Sequence, residues 1–385
     1  MTEAYIKLGE IATYINGYAF KPKDRGREGL PIIRIQDLTG NSNDKGFYKG
    51  KYPSKIEINN GDILISWSAS LGVYIWNSGR ALLNQHIFKV VFDKKAIDRD
   101  YFVYAVQFSL NKMKQLTHGA TMKHVVKKDF ENVSIPYPSL TEQRKIACIL
   151  DKLKKSMSKR LQELKKLDEL IKARFVEMFG DPISNKKSWK KRLLNDLVDK
   201  IGSGATPKGG KESYQDHGIS FIRSMNVHDG YFNYKDLAYI NSTQAKQLSN
   251  VIVQSQDVFI NITGASVARS CIVPDDILPA RVNQHVSIIR CKSDVLNPIF
   301  INNLFLNDSF KRILLSIGLS GGATRQAITK KQLEMLKIML PPLSLQNEFA
   351  NFVQQVDKSK FENIVYLNKT LSRKILSQIG DVIRD

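Results

Sequence analysis

The chain has 385 residues, with 58 Lys and Arg against 37 Asp and Glu, a formal net charge of +21 at pH 7. That length suits two or three domains rather than one, and a charge of that size attracts polyanions, with nucleic acid the natural candidate. No run of about 18 apolar residues and no signal-peptide stretch after Met1 occurs, so a cytoplasmic rather than membrane location is expected; Cys148, Cys271 and Cys291 stand far apart, which excludes a disulfide framework or zinc ribbon and leaves reduced, mostly buried thiols as the expectation.

In chain order, Gly29 to Asp37 is the first strand-like stretch, carrying Arg34. Asp62-Ile63-Leu64-Ile65-Ser66-Trp67 is another, bounded by turn residues. Asn84-Gln85-His86 follows, then the small-residue loop Gly119-Ala120-Thr121-Met122-Lys123, with Lys127 and Lys128 behind it. Pro138 to Gln143 opens a long helix, with Ser139 and Glu142 in capping-box spacing. Apolar residues then recur in steps of three and four at Ile146, Leu150, Leu153, Met157, Leu161, Leu164, Leu167, Ile171, Phe175 and Met178, a coiled-coil seam. Gly180-Asp181-Pro182 ends it, because glycine readily takes the left-handed conformation that stops a helix.

From there the same signals return in order. Gly218 to Asn226, with Arg223, matches the first stretch at an offset of 189 residues from Arg34. Gln256-Asp257-Val258-Phe259-Ile260 matches Gly61 to Ile65, and Asn283-Gln284-His285 repeats Asn84-Gln85-His86 unchanged at an offset of 199. Gly321-Gly322-Ala323-Thr324-Arg325-Gln326, with Lys330 and Lys331 behind it, matches the small-residue loop at an offset of 203. Pro341 to Gln346 opens a second helix whose stripe is Leu345, Phe349, Phe352, Val356, Ile364, Leu367, Leu371 and Ile375, interrupted by Lys360 and closed by Gly380-Asp381. Ordered matches with a growing offset indicate a duplicated unit of about 200 residues, the second copy carrying insertions.

The expected fold is therefore α+β: two similar mixed α/β domains, residues 1–140 and 181–342, separated by two long helices, 141–180 and 343–385. Packing the helices as an antiparallel coiled coil, with Leu150, Leu153, Met157, Leu164 and Ile171 facing Phe349, Val356, Ile364, Leu367 and Leu371, gives an approximate internal two-fold axis. Each helix packing only on its own domain is the alternative, and stripe length and regularity favour pairing. At 1.5 Å per residue the arms, Leu140 to Gly180 and Leu343 to Gly380, run about 55–60 Å and differ by three residues.

Catalytic signatures are missing. An amino-methyltransferase needs an Asn/Asp-Pro-Pro-aromatic loop, and Asp181-Pro182-Ile183 lacks the second proline and the ring. Gly204 to Lys211 approaches a phosphate-cradling loop, but its first glycine is misplaced and Glu212 stands where Ser or Thr would hold magnesium, so it reads as a flexible basic loop. Pro274-Asp275 is not followed by the Glu-x-Lys of a metal-dependent nuclease, and the six histidines lack HExxH spacing. The repeated Asn-Gln-His admits an acid–base histidine or a repeated turn and core contact; identical residues in both copies favour the turn.

The chain resembles the specificity subunit of type I restriction–modification systems over essentially its whole length. The resemblance is carried by the duplication, the paired Pro-x-Leu-x-x-Gln helix starts and the closing stretch Leu170 to Asp181. It implies two target-recognition domains, each reading half of a split, asymmetric double-stranded DNA site, with the helices as spacer. It also implies two modification subunits docked on the helices, methylating adenine with S-adenosylmethionine, and restriction subunits adding ATP- and magnesium-dependent cleavage. This chain is then expected to be non-catalytic and to bind no cofactor or metal. Leu345 stands where the first helix has Glu142, a departure from the pattern.

Within that reading, Lys and Arg grip phosphates and fewer side chains read base edges. Thr121, Lys123, Lys127 and Lys128 are candidates in the first domain, and Thr324, Arg325, Gln326, Lys330 and Lys331 in the second. Arg325 suits guanine and Gln326 adenine, while a plain Gly-rich turn with solvated lysines competes at each position. Arg34 and Arg223 suit phosphate contact or an internal salt bridge; Gln36, Trp67, Asn226 and Thr263 are weaker candidates beside strands. A coiled-coil scaffold without DNA specificity, or a self-contained DNA-modifying enzyme, are the rival classes.

Overall fold

Ile63 to Ser66 and Val258 to Asn261 are apolar at three consecutive positions before a polar fourth, and all are buried, which a strand needs when both its faces are covered. The computed structural model describes residues 5–42, 44–68, 70–116, 127–319 and 326–378. The first copy runs β1 (Tyr5–Lys7), α1 (Leu8–Ile11), β2 (Thr13–Asn16), β3 (Leu30–Ile33), α2 (Ile35–Leu38), β4 (Phe47–Tyr48), β5 (Glu57–Ile58), β6 (Ile63–Ser66), β7 (Gly72–Ile75), β8 (Ala81–Leu83), β9 (Ile87–Val91), α3 (Arg99–Leu116), α4 (Lys127–Glu131) and β10 (Ser134–Pro136), and ends in the long helix α5 (Leu140–Phe179).

Two sheets carry this copy. One is antiparallel, in the order β2-β9-β6-β7; the other is ordered β4-β3-β8-β5, with β3 and β8 parallel. Strand alternation sends Ile63 and Ile65 into a core with Phe102 and Val106 of α3, and Leu64 into a smaller core with Ile33, Ile58 and Leu83 of the other sheet.

The second copy repeats the plan with β11 (Lys191–Leu193), α6 (Leu194–Leu197), β12 (Val198–Ser203), β13 (Ile219–Ile222), β14 (Val227–His228), β15 (Tyr231–Phe232), β16 (Ala238–Ile240), α7 (Ser242–Gln247), β17 (Val258–Asn261), β18 (Ser270–Ile272), β19 (Ala280–Val282), β20 (Val286–Cys291), α8 (Pro298–Leu306), α9 (Asp308–Leu319), α10 (Lys330–Glu334), β21 (Lys337–Met339) and α11 (Leu343–Gln378). Its sheets, β12-β20-β17-β18 and β16-β13-β19, follow those of the first, again with one parallel pair, β13 and β19, but the strand equivalent to β5 is reduced to a single bridge between Ile252 and Arg281. Val258 and Ile260 face one core and Phe259 the other, the same alternation. The β14–β15 hairpin and α7 fall where the sequence offset grows from 189 to 199.

Helix α5 starts and stops as its sequence requires. Ser139 and Glu142 form the expected capping box, with the Glu142 N–H donating to Ser139 Oγ at 3.3 Å and Glu142 Oε2 accepting from the Ser139 N–H at 2.9 Å. Gly180, at φ +78°, ends α5, and Trp189 Nε1 donates to the Phe179 carbonyl at 2.8 Å. Gly380 and Asp381 lie outside the described residues. By contact density the chain divides into residues 1–159 with α11 from Leu367 onward, and residues 160–366, so each long helix is shared.

Within the second unit the two helices run antiparallel. Arg160 donates to Asn363 Oδ1 at 2.8 Å, Lys360 pairs with Asp168 at 2.7 Å, and Arg174 pairs with Glu348 at 3.2 Å. Ile171, Phe349 and Val356 are buried in this seam, whereas Leu164 is half-buried. Phe175, Phe179 and Phe349 join Phe300 of α8 in an aromatic cluster with centroids 4.9–5.7 Å apart. Leu150, Leu153 and Met157, in the first unit, are half-buried.

One seam position is corrected. Ile364 is 44 % exposed, and Leu161 of the first stripe is 60 % exposed. The polar layer of Arg160, Asn363 and Lys360 occupies the contact instead, with Arg160 over the Tyr366 ring at 4.8 Å. A 3.6-residue helix drifts against a strict heptad, so a stripe extrapolated past Lys360 loses phase with the partner. The side chains of Leu367 and Leu371 lie outside the described residues. No described helix is long and apolar enough to cross a membrane.

Candidate nucleic-acid interface

In each copy the loops that carry the repeated motifs meet at the carboxyl ends of the parallel strand pair. Arg34 follows β3 and Asn84 follows β8; the Asn84 N–H donates to the Ile33 carbonyl at 3.1 Å. Arg223 follows β13, Asn283 follows β19, and the Asn283 N–H donates to the Ile222 carbonyl at 3.0 Å. The Asn-Gln-His turn then holds its neighbours by backbone bonds. The His86 carbonyl accepts from the Trp67 N–H at 3.3 Å and the His285 carbonyl from the Ile262 N–H at 2.9 Å. His285 Nδ1 bonds to Thr263 Oγ1, and the His285 N–H donates to Asn283 Oδ1 at 2.9 Å. The trio is thus a repeated turn, as favoured, rather than a displayed acid–base group.

Close approach fixes a glycine in the loop after each first sheet strand. A Cβ on Gly17 would lie 2.2 Å from the Leu83 and Asn84 carbonyl oxygens, and one on Gly204 1.8 Å from the Val282 oxygen. The start of the Gly204 to Lys211 stretch is therefore pinned rather than flexible: the Gly204 N–H donates to the Asn283 carbonyl at 3.1 Å, and Thr206 Oγ1 donates to Gln284 Oε1 at 2.5 Å.

Both repeated arginines work inside their own copy. Arg34 pairs with Asp37 at 3.4 Å and donates to Ser42 Oγ at 3.2 Å and to the Asp44 carbonyl. Arg223 donates to the Asp236 carbonyl and lies over the Tyr214 ring at 5.5 Å. Each guanidinium ties the strand end to the following loop, Arg34 through an internal salt bridge and Arg223 through a loop carbonyl. The weaker candidates divide similarly. Asn226 is fully buried, accepts from the Arg223 N–H at 3.1 Å and donates to the Asn233 carbonyl at 2.9 Å; Trp67 stacks on Phe88. Gln36 is exposed.

The lysines behind the small-residue loops repeat in matched positions. Lys127 lies 3.6 Å from Glu131 on α4 and Lys330 3.5 Å from Glu334 on α10; Lys128 and Lys331 are exposed beside them. These four cations therefore stand at the surface of both copies. Thr121, Lys123, Thr324 and Arg325 lie outside the described residues. Gln326 returns the chain to the cluster, its carbonyl accepting from the Gly264 N–H at 2.9 Å, and the Ile328 N–H donates to the Ile262 carbonyl at 2.8 Å.

Sequence reasoning overlooked Gln143 and Gln346, which are fully buried where each long helix meets its globular copy. The signal was present in the shared Gln of the two helix starts. Among the described residues no cluster of His, Cys, Asp or Glu is arranged to hold a metal ion. Burial pushes the Cys271 and Cys291 thiols up to about 12, whereas Cys148 is exposed, contrary to expectation.

The family model described as "Type I restriction modification DNA specificity domain" matches this chain twice, at residues 3–166 and 186–373. The chain is 24 % identical over 380 residues to the type I restriction enzyme EcoBI specificity subunit of Escherichia coli, covering 91 % of this chain and 78 % of that protein. It is also 24 % identical over 368 residues to the MjaVIII specificity subunit of Methanocaldococcus jannaschii, covering 91 % and 85 %. A crystal structure of a type I restriction–modification S subunit from M. genitalium shares the fold at TM-score 0.57 and 13 % identity, covering 96 % of this chain and 93 % of that one. A second structure, from work on complex assembly and conformational transition of the type I restriction–modification system, superposes at TM-score 0.57 and 18 % identity, covering 98 % and 95 %. With both copies matched by one family model and the same plan of elements built twice, the chain belongs to the specificity subunits of type I restriction–modification systems.

Proposed function

We propose that this specificity subunit recognises a split, asymmetric site on duplex DNA, one half through each copy, and that it directs modification subunits to methylate adenine there. The carrying observation is that both copies hold the same turn, the same pinned glycine and the same exposed lysine pair, yet differ in the side chains around them. Shared groups suit what is common to any duplex, its phosphates; unlike groups suit unlike bases. A net charge of +21 supports the first role. Thr121, Lys123, Thr324 and Arg325 in the small-residue loops are the preferred base or phosphate contacts, with Gln326 beside them. S-adenosylmethionine, ATP and magnesium belong, on this reading, to partner subunits, two of them modification subunits on the outer faces of α5 and α11, with restriction subunits where cleavage is coupled.

The test is co-purification with a type I modification subunit from the same organism, followed by mapping of methylated adenines on DNA of varied sequence. Methylation confined to one split motif, altered in only one half when one copy is exchanged, is the expected result. A stable complex with no sequence-dependent methylation overturns the reading in favour of a scaffold; methyl transfer by the isolated chain overturns it in favour of a self-contained enzyme.

A further inference from the structure

Gln143 and Gln346 sit in the first turn of α5 and α11, and both are fully buried. Their amides share two bonds, and Gln346 adds a third. Gln143 Oε1 accepts from the Asp98 N–H at 2.8 Å while Nε2 donates to the Pro138 carbonyl at 2.8 Å. Gln346 Oε1 accepts from the Asn297 N–H at 2.9 Å while Nε2 donates to the Pro341 carbonyl at 2.8 Å and to the Val295 carbonyl at 3.1 Å. Asp98 and Asn297 immediately precede α3 and α8, the main helices of each globular copy. Each glutamine therefore clamps the first turn of a long helix to the first turn of a globular one.

The following residue adds a second tie that differs in chemistry but not in place. Arg144 faces the Asp98 carboxylate at 3.9 Å, and Asn347 Oδ1 accepts from Asn297 Nδ2 at 2.9 Å. The surrounding helix start is less constant: Ser139 and Glu142 become Pro342 and Leu345, so the first copy's capping box has no counterpart. A buried amide is costly unless both its ends are bonded, so an apolar side chain would fill this space more cheaply. Its repetition points to directional work. A 40-residue helix is about 60 Å long, and a tilt of about 3° at one end of such a lever displaces the other by one base-pair rise of ~3.4 Å.

We propose that Gln143 and Gln346 are positioning residues that fix the angle between each globular copy and its long helix, and thereby set the gap between half-sites that the subunit accepts. This rests on the split-site reading above. The assembled complex with its modification subunits is given duplexes carrying both half-sites at the native gap or with one base pair added or removed. Wild type is expected to favour the native gap. Gln143→Ala and Gln346→Ala should each reduce that preference by at least about five-fold, the loss of one buried hydrogen bond, while discrimination within each half-site persists. Gln143→Glu, which keeps the acceptor for the Asp98 N–H, should fall between, and carries the test with Gln346→Ala where Gln143→Ala does not fold. A slower rate with the gap preference unchanged in the variants overturns the proposal, because the glutamines then only stabilise the fold. Wild type indifferent to the gap defeats the split-site reading itself, before any variant is measured.

Discussion

Asp62 and Asp257 begin matched strands, and each accepts a backbone N–H three residues before it, from Asn59 and Gln254, at 2.8 Å. Their cations differ. Lys89 lies 3.0 Å from Asp62, whereas Arg290 grips Asp257 through two bonds of 2.8 Å, with the Asp257 side chain wholly buried. Removing a partner from a buried charge strands it, so Arg290→Ala should cost about 3 kcal/mol, and Lys89→Ala about 1 kcal/mol because that pair is partly solvated. Denaturant unfolding of the two variants checks the ranking; equal losses would refute it. The Asp match was legible in sequence because it belongs to a local turn. Its cation was not, because it arrives on a strand about 30 residues later, at a register that only sheet pairing sets. Arg34 and Arg223 show the same limit: spacing revealed their equivalence, but not that a loop carbonyl takes each guanidinium.

At the level of elements, Lys360 looked like a flaw in the apolar stripe and proves to be an inter-helix contact. Burial opposes its charge, but the Asp168 and Asp357 carboxylates outweigh that and hold its pKa above the ordinary lysine value of 10.5. A group whose folded pKa is raised contributes its stability in full below the unfolded value and loses it as pH rises through the folded one. Far-UV circular dichroism should therefore show α5–α11 pairing weakening above about pH 10.5, a step absent in Lys360→Leu. At neutral pH the same substitution should lower the thermal midpoint only slightly, since the Asp168 and Asp357 carboxylates that it leaves behind are largely exposed to solvent; a large drop would show that the polar layer holds the register. The existence and antiparallel pairing of the two helices, and both ends of α5, were readable from caps and stripe. The seam's phase beyond Lys360 was not, because one polar layer is enough to turn the contact face. The β14–β15 hairpin was also invisible, registering only as a jump in offset.

For the whole molecule, duplication was the most legible feature, since both sheets of the first copy reappear in the second, one of them short of a strand, with the parallel pair in the same place. Each copy is also closed by a clasp between its first and last strands: Tyr5 opposite Pro136 in β1–β10, and Lys191 opposite Met339 in β11–β21. Replacing residues 5–136 by 191–339 should then give a folded chain with a melting curve close to that of the parent. On the proposed reading its methylated motif becomes an inverted repeat of one half-site; an unfolded product would show that each copy needs its own long helix.

The clasp has a consequence for inheritance. Because the chain enters and leaves each globular part through adjacent antiparallel strands, a recombination event in the sequences flanking the clasp can exchange a complete globular unit without redrawing the long helices beside it. On the proposed split-site reading, the two halves of a target preference would then be reassorted like separate cards, new combinations arising in one crossover rather than through a long series of point mutations.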